Sequence, residues 1–275
     1  MSVIEYEAGN AGKEGPKVSV IIPVYNAARY IDEAFLSVAA QTYPNWELIL
    51  VDDASTDGSR EYLKELAERS RRIPSLRGRI KLCLQACNTG PAAARNAGIR
   101  AAEGRFLAYL DADDLWKADK LEKQLEFMLR GGYAFSFTGY EFADQKGRRS
   151  GRAVRVPERL TYREALGNTT ISTITVMLDR EQIPEGLLIM PEASPREDTA
   201  TWWRILRNGY VAYGMNEVLS VYRRHPDSHS ANKWKAIRGT WRTYRQNEGM
   251  TVWSAGRYFT GYLFRAVKRR TGKMI

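Results

Sequence analysis

The stretch Val-Ser-Val-Ile-Ile-Pro-Val at residues 18–24 is followed, after a helical interval, by Glu-Leu-Ile-Leu-Val at residues 47–51. Both stretches are short, apolar and rich in β-branched residues, which is typical of strands buried on both faces. Two further stretches of this kind occupy residues 80–84 and 105–110, and helical segments separate them. This alternation predicts an α/β fold with a parallel, doubly wound sheet.

Polar residues follow three of the predicted strands. Tyr25-Asn26 follows the first, Asp52-Asp53 ends the second, and Asp111-Ala112-Asp113-Asp114 follows the fourth. Such sheets bind ligands at the carboxyl ends of their strands. Three close carboxylates repel one another unless a cation or hydrogen-bond donors hold them, and Mg²⁺ or Mn²⁺ prefers oxygen ligands. The last run therefore predicts a metal and nucleotide site, although one of its acids could instead cap a helix that begins at Leu115.

The bulk composition of the 275 residues is that of a globular protein, with 44% hydrophobic and 27% charged residues. The sequence has no apolar run long enough for a transmembrane helix, and residues 1–16 lack the apolar segment of a signal peptide. We therefore expect a cytoplasmic location. Cys83 and Cys87 are the only cysteines, and we expect reduced thiols rather than a metal half-site.

The net charge of +10 belongs to the C-terminal tail, residues 229–275, which contains eleven Lys or Arg and a single acid, Glu248. Trp and Tyr recur there at helical spacing among the basic residues. This combination predicts that residues 233–273 attach the protein to an anionic membrane surface at the inner leaflet. The alternative is that the aromatic residues pack the tail onto the rest of the protein. No nucleic-acid recognition motif accompanies the basic residues, so we expect no nucleic-acid partner.

The pattern of elements changes after Gly132, and four regions are predicted. They are an N-terminal extension (1–16), a nucleotide-sugar-binding half (17–132), an acceptor-binding half with the catalytic base (133–228) and a basic aromatic helical tail (229–275). In the second half we expect a strand at 171–178, a loop at 184–195 and a helix at 199–208.

Four motifs occur in order with fitting spacing. They are Val-Ser-Val-Ile-Ile-Pro-Val-Tyr-Asn (18–26), Val-Asp-Asp-Ala-Ser-Thr-Asp-Gly-Ser (51–59), Asn-Thr-Gly-Pro-Ala-Ala-Ala-Arg-Asn-Ala-Gly (88–98) and Leu-Asp-Ala-Asp-Asp (110–114). Together they resemble the family 2 glycosyltransferases with the GT-A fold, a Rossmann-like nucleotide-binding sheet. The resemblance continues through Pro-Arg-Glu-Asp (195–198) and Tyr-Arg-Arg-His (222–225), and covers about residues 17–230.

The resemblance implies a role for each matching position. The nucleotide-sugar would contact Pro23, Tyr25, Asn26, Asp52, Asp53, Gly90, Arg95, Asn96, Asp111, Ala112 and Asp113, and Arg223 or Arg224 would hold its diphosphate. A divalent cation, Mn²⁺ or Mg²⁺, would bind Asp113 and Asp114 with His225, although His225 could equally be an exposed loop residue. Asp198 would be the catalytic base and Glu197 would position the acceptor or the loop. Asp198 could also cap a helix that starts at Thr199.

The expected reaction is transfer of a sugar, with inversion, from a nucleotide-sugar such as a UDP-sugar to a hydroxyl of a glycan or polyprenyl-diphosphate-linked acceptor. The acceptor hydroxyl must lose a proton as it attacks, so one carboxylate within reach is required. We expect this chemistry to serve bacterial surface polysaccharide synthesis. The competing functions are an inactive nucleotide-sugar-binding protein and a metal-dependent nucleotidyltransferase, although the latter's Gly-rich basic loop is missing. A dinucleotide oxidoreductase is disfavoured because no G-x-G-x-x-G follows the first strand.

Overall fold

The computed structural model describes residues 15–225 and 233–270. The predicted extension 1–16 lies mostly outside the described residues, as do residues 226–232 and 271–275. The strands are β1 (Val18–Val24), β2 (Trp46–Asp52), β3 (Ile80–Leu84), β4 (Phe106–Tyr109), β5 (Leu115–Trp116), β6 (Phe135–Ala143), β7 (Arg149–Val154), β8 (Arg159–Leu160), β9 (Met177–Asp179) and β10 (Ala212–Arg223). The helices are α1 (Ile31–Ala39), α2 (Ser59–Arg72), α3 (Pro91–Ala101), α4 (Lys120–Gly131), α5 (Tyr162–Gly167), α6 (Glu185–Leu188), α7 (Glu197–Arg207), α8 (Lys233–Arg242) and α9 (Val252–Arg270).

These strands form one sheet in the described part of the chain, in the order β3-β2-β1-β4-β9-β6-β10-β5, with β7 beside β6 and β8 beside β10. Strands β1 to β4 are parallel, as predicted. Strand β9 is antiparallel to both β4 and β6, so the second half of the sheet is mixed. The chain order reverses beside β1, which lies between β2 and β4, and such a switch point is where open α/β sheets bind ligands.

The core lies on both faces of β1, β2 and β4, as their apolar sequences predict. The same expectation is wrong for β3, which lies at the end of the sheet and is only partly buried. Ile21 of β1 belongs to the cluster under α3 and α7, whereas its neighbours Val20 and Ile22 belong to the cluster on the opposite face. Helix α3 approaches β1 closely because Gly98 has no side chain. A Cβ there would lie 2.4 Å from Cγ2 of Ile21. This contact fixes the helix that carries Arg95 against the central strand.

The strand predicted at 171–178 is largely wrong. Residues Thr173–Thr175 form a 3₁₀ turn, and only Met177–Asp179 is a strand. The hydroxyl of Thr175 donates to the carbonyl of Ser172 at 2.6 Å, and such local bonds compete with a strand ladder. Side chains from two neighbouring strands, Trp116 and Ser220, donate to the carbonyl of Ile174 and hold the turn in place.

Two other local expectations also change. The predicted loop at 184–195 contains the short helix α6, which begins directly after Pro184. No helix begins at Leu115, because Leu115–Trp116 pairs with β10 as strand β5. Helix α4 starts only at Lys120. The acids at 111–114 therefore do not cap a helix, and the capping alternative for this run is wrong.

The tail packs onto the second half of the protein through helices α8 and α9 and the π-helical turn Thr243–Asn247 between them. Tyr244 is fully buried, and its ring stacks on that of Trp203 with centroids 4.9 Å apart. Glu248 is also buried and accepts hydrogen bonds from Tyr162 and Arg207. The packing alternative is thus confirmed for these tail residues. None of the described helices is long and apolar enough to cross a bilayer.

Candidate functional site

The three acids that follow β4 lie at the carboxyl edge of the sheet, and each has a partner from α3 or from the end of β10. Asp111 accepts a hydrogen bond of 2.6 Å from Arg95 of α3. Asp114 is buried and accepts the backbone N–H of Arg223 at 2.6 Å. Asp113 lies 2.8 Å from Nε2 of His225. The run at 111–114 is therefore the point where α3 and the end of β10 meet.

Burial raises the pKa of Asp113, and the neighbouring charge of Asp111 raises it further, while His225 lowers it. Burial likewise raises the pKa of Asp114 well above its ordinary value, with added repulsion from Asp113 and Asp111. Asp114 is buried and Asp113 is partly buried, and two such carboxylates side by side are unfavourable unless positive charge compensates them. A cation bound beside them would relieve this repulsion.

The donor set fits a divalent ion that shares its ligands with a substrate. No three carboxylate, imidazole or thiol groups converge on one point among the residues that the structure describes. Mg²⁺, however, is commonly held by one or two carboxylates together with substrate phosphates rather than by an all-protein cage. Nδ1 of His225 is buried with no hydrogen-bond partner within the described residues. His225 is mostly buried and packs against the ring of Tyr30, so it is not an exposed loop residue.

Arg95 joins the acids after β4 to the Glu197-Asp198 pair at the start of α7. Its guanidinium is buried, and its two terminal nitrogens bond different carboxylates, Asp111 at 2.6 Å and Glu197 at 2.9 Å. Glu197 is the first residue of α7. The predicted donor-binding and acceptor-activating residues therefore belong to one continuous site.

Asp198 lies in the first turn of α7, one residue after the helix begins, so the capping position belongs to Arg196. Its carboxylate accepts the Thr199 N–H at 2.6 Å and the Thr173 hydroxyl at 3.2 Å. Burial raises the pKa of Asp198, but Arg196 and the Thr199 N–H outweigh it and hold that pKa below its ordinary value. The side chain remains 23% exposed. Asp198 is therefore an ionised carboxylate that a substrate can reach.

The loops after β1, β2 and β3 are tied together by side chains that were predicted to bind nucleotide. Asp53 accepts the backbone N–H groups of Thr89 and Gly90 at 2.9 and 2.8 Å. Gly90 has a φ of 92°, which favours glycine at this turn. Asn26 accepts the N–H of Thr56 at 2.8 Å. These groups therefore hold the loops that border the switch point.

The other predicted contacts are placed as follows. Asp52 is fully buried, and its carboxylate accepts a hydrogen bond of 2.6 Å from Nε of Arg60. Asn96 bonds both backbone groups of Met190, and this holds the loop before α7. Tyr25 is half exposed, Pro23 lies within β1, and Ala112 is buried beside its acidic neighbours. Arg223 is buried and pairs with Glu33 at 2.8 Å, whereas Arg224 is exposed with its guanidinium 3.6 Å from the centroid of the Phe142 ring.

Two side chains at the site were not predicted. Thr173 reaches Asp198 from the 3₁₀ turn, and the sequence carries no signal for that turn because the alternating threonines indicate a strand. Arg196 lies with its Nε 3.8 Å from Asp198. The sequence could have identified Arg196, since this arginine belongs to the Pro-Arg-Glu-Asp motif, but no role was assigned to it.

The sequence profile described as glycosyl transferase family 2 matches residues 19–182. A Bacillus subtilis protein described as a teichuronic acid biosynthesis glycosyltransferase, TuaG, is 47% identical over 93% of this chain and 98% of its own length. The Escherichia coli enzyme WfgD, a UDP-Glc:α-D-GlcNAc-diphosphoundecaprenol β-1,3-glucosyltransferase, is 37% identical over 78% of this chain and 80% of its own length.

Solved structures agree with the fold. S. aureus TarS in complex with UDP-GlcNAc superposes with a TM-score of 0.66 at 20% identity, over 94% of this chain and 73% of TarS. The Pyrobaculum calidifontis mannosyltransferase PcManGT, in complex with GDP-Man and Mn²⁺, also has a TM-score of 0.66, at 23% identity over 92% of this chain and 70% of its own. This chain therefore has the GT-A fold, belongs to glycosyl transferase family 2 and is a glycosyltransferase.

Proposed function

We propose that this glycosyltransferase transfers a sugar from a UDP-sugar, with inversion, to a hydroxyl of a lipid-linked glycan in bacterial cell-envelope polysaccharide synthesis. The observation that carries the proposal is the bridge from Asp111 through Arg95 to Glu197. It joins the acids at the switch point to the turn that presents Asp198. A site for the donor diphosphate and a base for the acceptor thus lie side by side.

Asp198 is the proposed general base. The acceptor hydroxyl attacks the anomeric carbon from the face opposite the nucleotide, so a bond from the acceptor oxygen to that carbon forms as the carbon–diphosphate bond breaks. The hydroxyl proton passes to the Asp198 carboxylate, which is ionised and partly exposed. A single displacement of this kind inverts the anomeric centre. Glu197 and Thr173 keep the base in place through Arg95 and a direct hydrogen bond, respectively.

Asp113 and Asp114, with His225, are the proposed ligands of a divalent cation, Mn²⁺ or Mg²⁺. When bound, such an ion supplies positive charge that stabilises the leaving diphosphate. The raised pKa values of both carboxylates support this assignment, since an ion at that position relieves their repulsion. The structure of PcManGT holds Mn²⁺ together with its nucleotide-sugar, which agrees with this choice of metal.

The donor and acceptor classes rest on the relatives. TarS binds UDP and UDP-GlcNAc, and WfgD uses UDP-Glc and a diphosphoundecaprenol-linked sugar. A base that accepts a hydroxyl proton suits the acceptor of WfgD, whose product is a β-1,3 linkage to a sugar hydroxyl. We infer that this chain acts on a similar pair of substrates.

We further propose that the tail attaches the enzyme to the inner face of the plasma membrane. Its aromatic residues divide into two groups. Tyr244 and Tyr262 are buried, whereas Trp253 is 91% exposed, Trp234 74% and Phe264 70%. On α9, exposed residues recur as Trp253, Arg257, Thr260 and Phe264, which helical spacing aligns on one side.

The distribution of charge in the tail also supports attachment to a membrane. The acid of the tail, Glu248, is buried against the body of the protein, while Arg238, Arg242, Arg245 and Arg257 are exposed. A surface with exposed Trp and Phe among arginines matches the headgroup layer of an anionic bilayer, where the rings and the cations are both favoured. A lipid-linked acceptor would be presented at that layer.

A donor screen tests the proposed activity. The melting temperature of the full chain is measured with UDP, GDP and dTDP and their common sugars, each with Mn²⁺, with Mg²⁺ or with EDTA. We expect the UDP compounds to raise the melting temperature only when a cation is present. Asp113→Asn should lose the shift and Asp119→Asn, on the exposed start of α4, should keep it. If no UDP compound stabilises the protein, the donor assignment is wrong.

A further inference from the structure

Arg196 immediately precedes α7 and its side chain stands beside the proposed base. The guanidinium makes one long hydrogen bond, 3.4 Å to the Thr199 hydroxyl, and its Nε lies 3.8 Å from Asp198. These are its polar contacts among the described residues. A guanidinium offers five N–H donors, so most of these donors have no partner within residues 15–225 and the described part of the tail. Its side chain is 28% exposed, and an incoming molecule can therefore reach it.

The other arginine of the site behaves differently. Arg95 is buried and bonds two carboxylates at 2.6 and 2.9 Å, so its donors are committed to holding the protein together. Arg196 is not held in this way. Burial lowers the pKa of its guanidinium, but the nearby charges of Asp198 and Glu197 outweigh burial and keep it charged. A cation beside a base also opposes proton acceptance. Its presence there is best explained by an anion that binds during the reaction.

The position of Arg196 indicates where that anion comes from. Gly239 of α8 lies over the stem of the arginine, and a Cβ at this glycine would be 3.3 Å from Cγ of Arg196. Arg196 therefore lies between the proposed base and the tail. The donor diphosphate is assigned to the acids after β4, on the other side of Arg95. The anion at Arg196 thus belongs to the acceptor and not to the donor.

We propose that Arg196 binds the diphosphate of the lipid-linked acceptor and so places the sugar next to it, with its hydroxyl at Asp198. The inference rests on the proposed function, because it requires an acceptor that carries a diphosphate on its anomeric carbon. Arginine suits this role because its planar donors pair with phosphate oxygens two at a time. The diphosphate and the reacting hydroxyl are attached to the same ring, and the neighbouring positions of Arg196 and Asp198 match that arrangement.

The test compares two synthetic acceptors on the full chain with the donor site filled by UDP and Mn²⁺. One is an α-N-acetylglucosaminyl diphosphate with a short alkyl chain, and the other is the matching alkyl glycoside without the diphosphate. Dissociation constants are measured by calorimetry for wild type, Arg196→Gln and Arg196→Lys. Arg130→Gln is the control, because Arg130 is an exposed arginine on α4.

We expect wild type and Arg130→Gln to bind the diphosphate compound at least about tenfold more tightly than the glycoside, since one charge-assisted pair contributes about this much. Arg196→Gln should lose this preference while binding the glycoside normally, and Arg196→Lys should keep part of it. The proposal is overturned if wild type shows no preference or if Arg196→Gln retains it. Equal loss for both acceptors would also overturn it and would assign Arg196 to positioning the base.

A third probe, short-chain phosphatidylglycerol, separates the acceptor from a membrane headgroup. If this lipid competes as strongly as the diphosphate compound and the competition depends on Arg196, the source of the anion is the headgroup and the proposal fails. Failure of the Arg196 proposal can be distinguished from failure of the proposed function. The melting shift with UDP and Mn²⁺ reports donor binding in every variant and does not depend on the acceptor.

Discussion

Arg95 of α3 and Glu197 of α7 are 102 positions apart in the chain, and a partly buried hydrogen bond of 2.9 Å joins them. The same guanidinium bonds Asp111 at the carboxyl edge of the sheet. Any displacement of Arg95 would therefore move the element that carries Asp198 relative to the acids that are proposed to hold the donor. Productive geometry in such a site depends on shifts of about 1 Å.

Replacing Arg95 by Lys should separate geometry from charge. A lysine keeps the positive charge but has a single ammonium group, which cannot pair with both carboxylates in the same fork. We expect kcat/KM for sugar transfer to fall by about 100-fold while the protein stays folded. Arg100→Lys, five residues further along α3 and exposed, is the matched control. Near-normal transfer by Arg95→Lys would show that the bridge has no catalytic importance.

Asp198→Asn tests the proposed base. The amide keeps the size of the side chain but cannot accept the hydroxyl proton, so transfer should fall by about 100-fold or more. Donor binding should be unchanged, because the acids after β4 are untouched, and the melting shift with UDP measures it. Asp119→Asn serves again as the exposed control. If Asp198→Asn keeps normal transfer, the base is another residue.

The pH dependence of transfer should report the pair formed by Asp198 and Arg196. Burial raises the pKa of Asp198, but Arg196, the Thr199 N–H, Arg95 and the Thr173 hydroxyl together hold it below its ordinary value. Activity therefore should persist well into the acid range in wild type. Arg196→Gln removes one positive charge, so the pKa rises and the acid limb of kcat/KM should move to higher pH by about one unit.

This profile is measured with the uncharged alkyl glycoside as acceptor, so that loss of a diphosphate contact does not contribute. Arg130→Gln should leave the acid limb where it is. A limb that stays in place in Arg196→Gln would mean that the arginine does not influence the group whose titration controls transfer.

The parallel half of the fold could be predicted because its information is local. Strands β1, β2 and β4 are short apolar runs that are buried on both faces, and the polar residues that follow them meet at the carboxyl edge of the sheet. Strand β3, at the end of the sheet, is only partly buried. The 3₁₀ turn at Thr173–Thr175 could not be predicted, since hydrogen bonds from Trp116 and Ser220 on other strands determine it.

In the candidate site, too, some features follow from the local sequence and others depend on contacts between distant parts of the chain. The position of the acids after β4 follows from the strand that precedes them. The pairing of Arg95 with Glu197 depends on how α3 and α7 pack against the sheet. The spacing of these residues along the chain does not predict that pairing. In the tail, helical periodicity predicts amphipathic helices but does not say which aromatic faces inward. Tyr244 stacks on Trp203, whereas Trp253 is exposed, and only the packed structure separates them.

The exposed aromatics of α9 should control membrane attachment. Trp253→Glu combined with Phe264→Glu places two negative charges on the face that is proposed to meet anionic lipid, so both the apolar and the electrostatic contributions are lost. We expect flotation with phosphatidylglycerol vesicles to fall by about tenfold or more. Leu129→Glu, at an exposed leucine of α4, is the control. Unchanged flotation of the double variant would remove these residues from the membrane face.

A buried charge cluster lies at the amino ends of the parallel strands, opposite the candidate site. It should contribute stability without affecting the reaction directly. Glu47 of β2 is 3% exposed. Its carboxylate accepts the Ser19 hydroxyl at 2.6 Å and the Glu103 N–H at 2.7 Å, and it pairs with Lys81 at 2.8 Å. These contacts join β1, β2, β3 and the turn before β4.

Glu47→Gln should lower the free energy of unfolding by about 2–4 kcal/mol, because Lys81 loses its buried partner and the hydrogen bonds weaken. Burial raises the pKa of Glu47, but Lys81 and Ser19 outweigh burial and hold the pKa below its ordinary value of 4.5. A lowered pKa stabilises the protein above the unfolded value, and this contribution disappears as the pH falls through the folded value. Urea unfolding should therefore show a large difference between wild type and Glu47→Gln at pH 7 that shrinks below pH 4.5, whereas exposed Glu65→Gln changes little at either pH. A difference that stays constant across this range would mean that the ionisation of Glu47 does not contribute to stability.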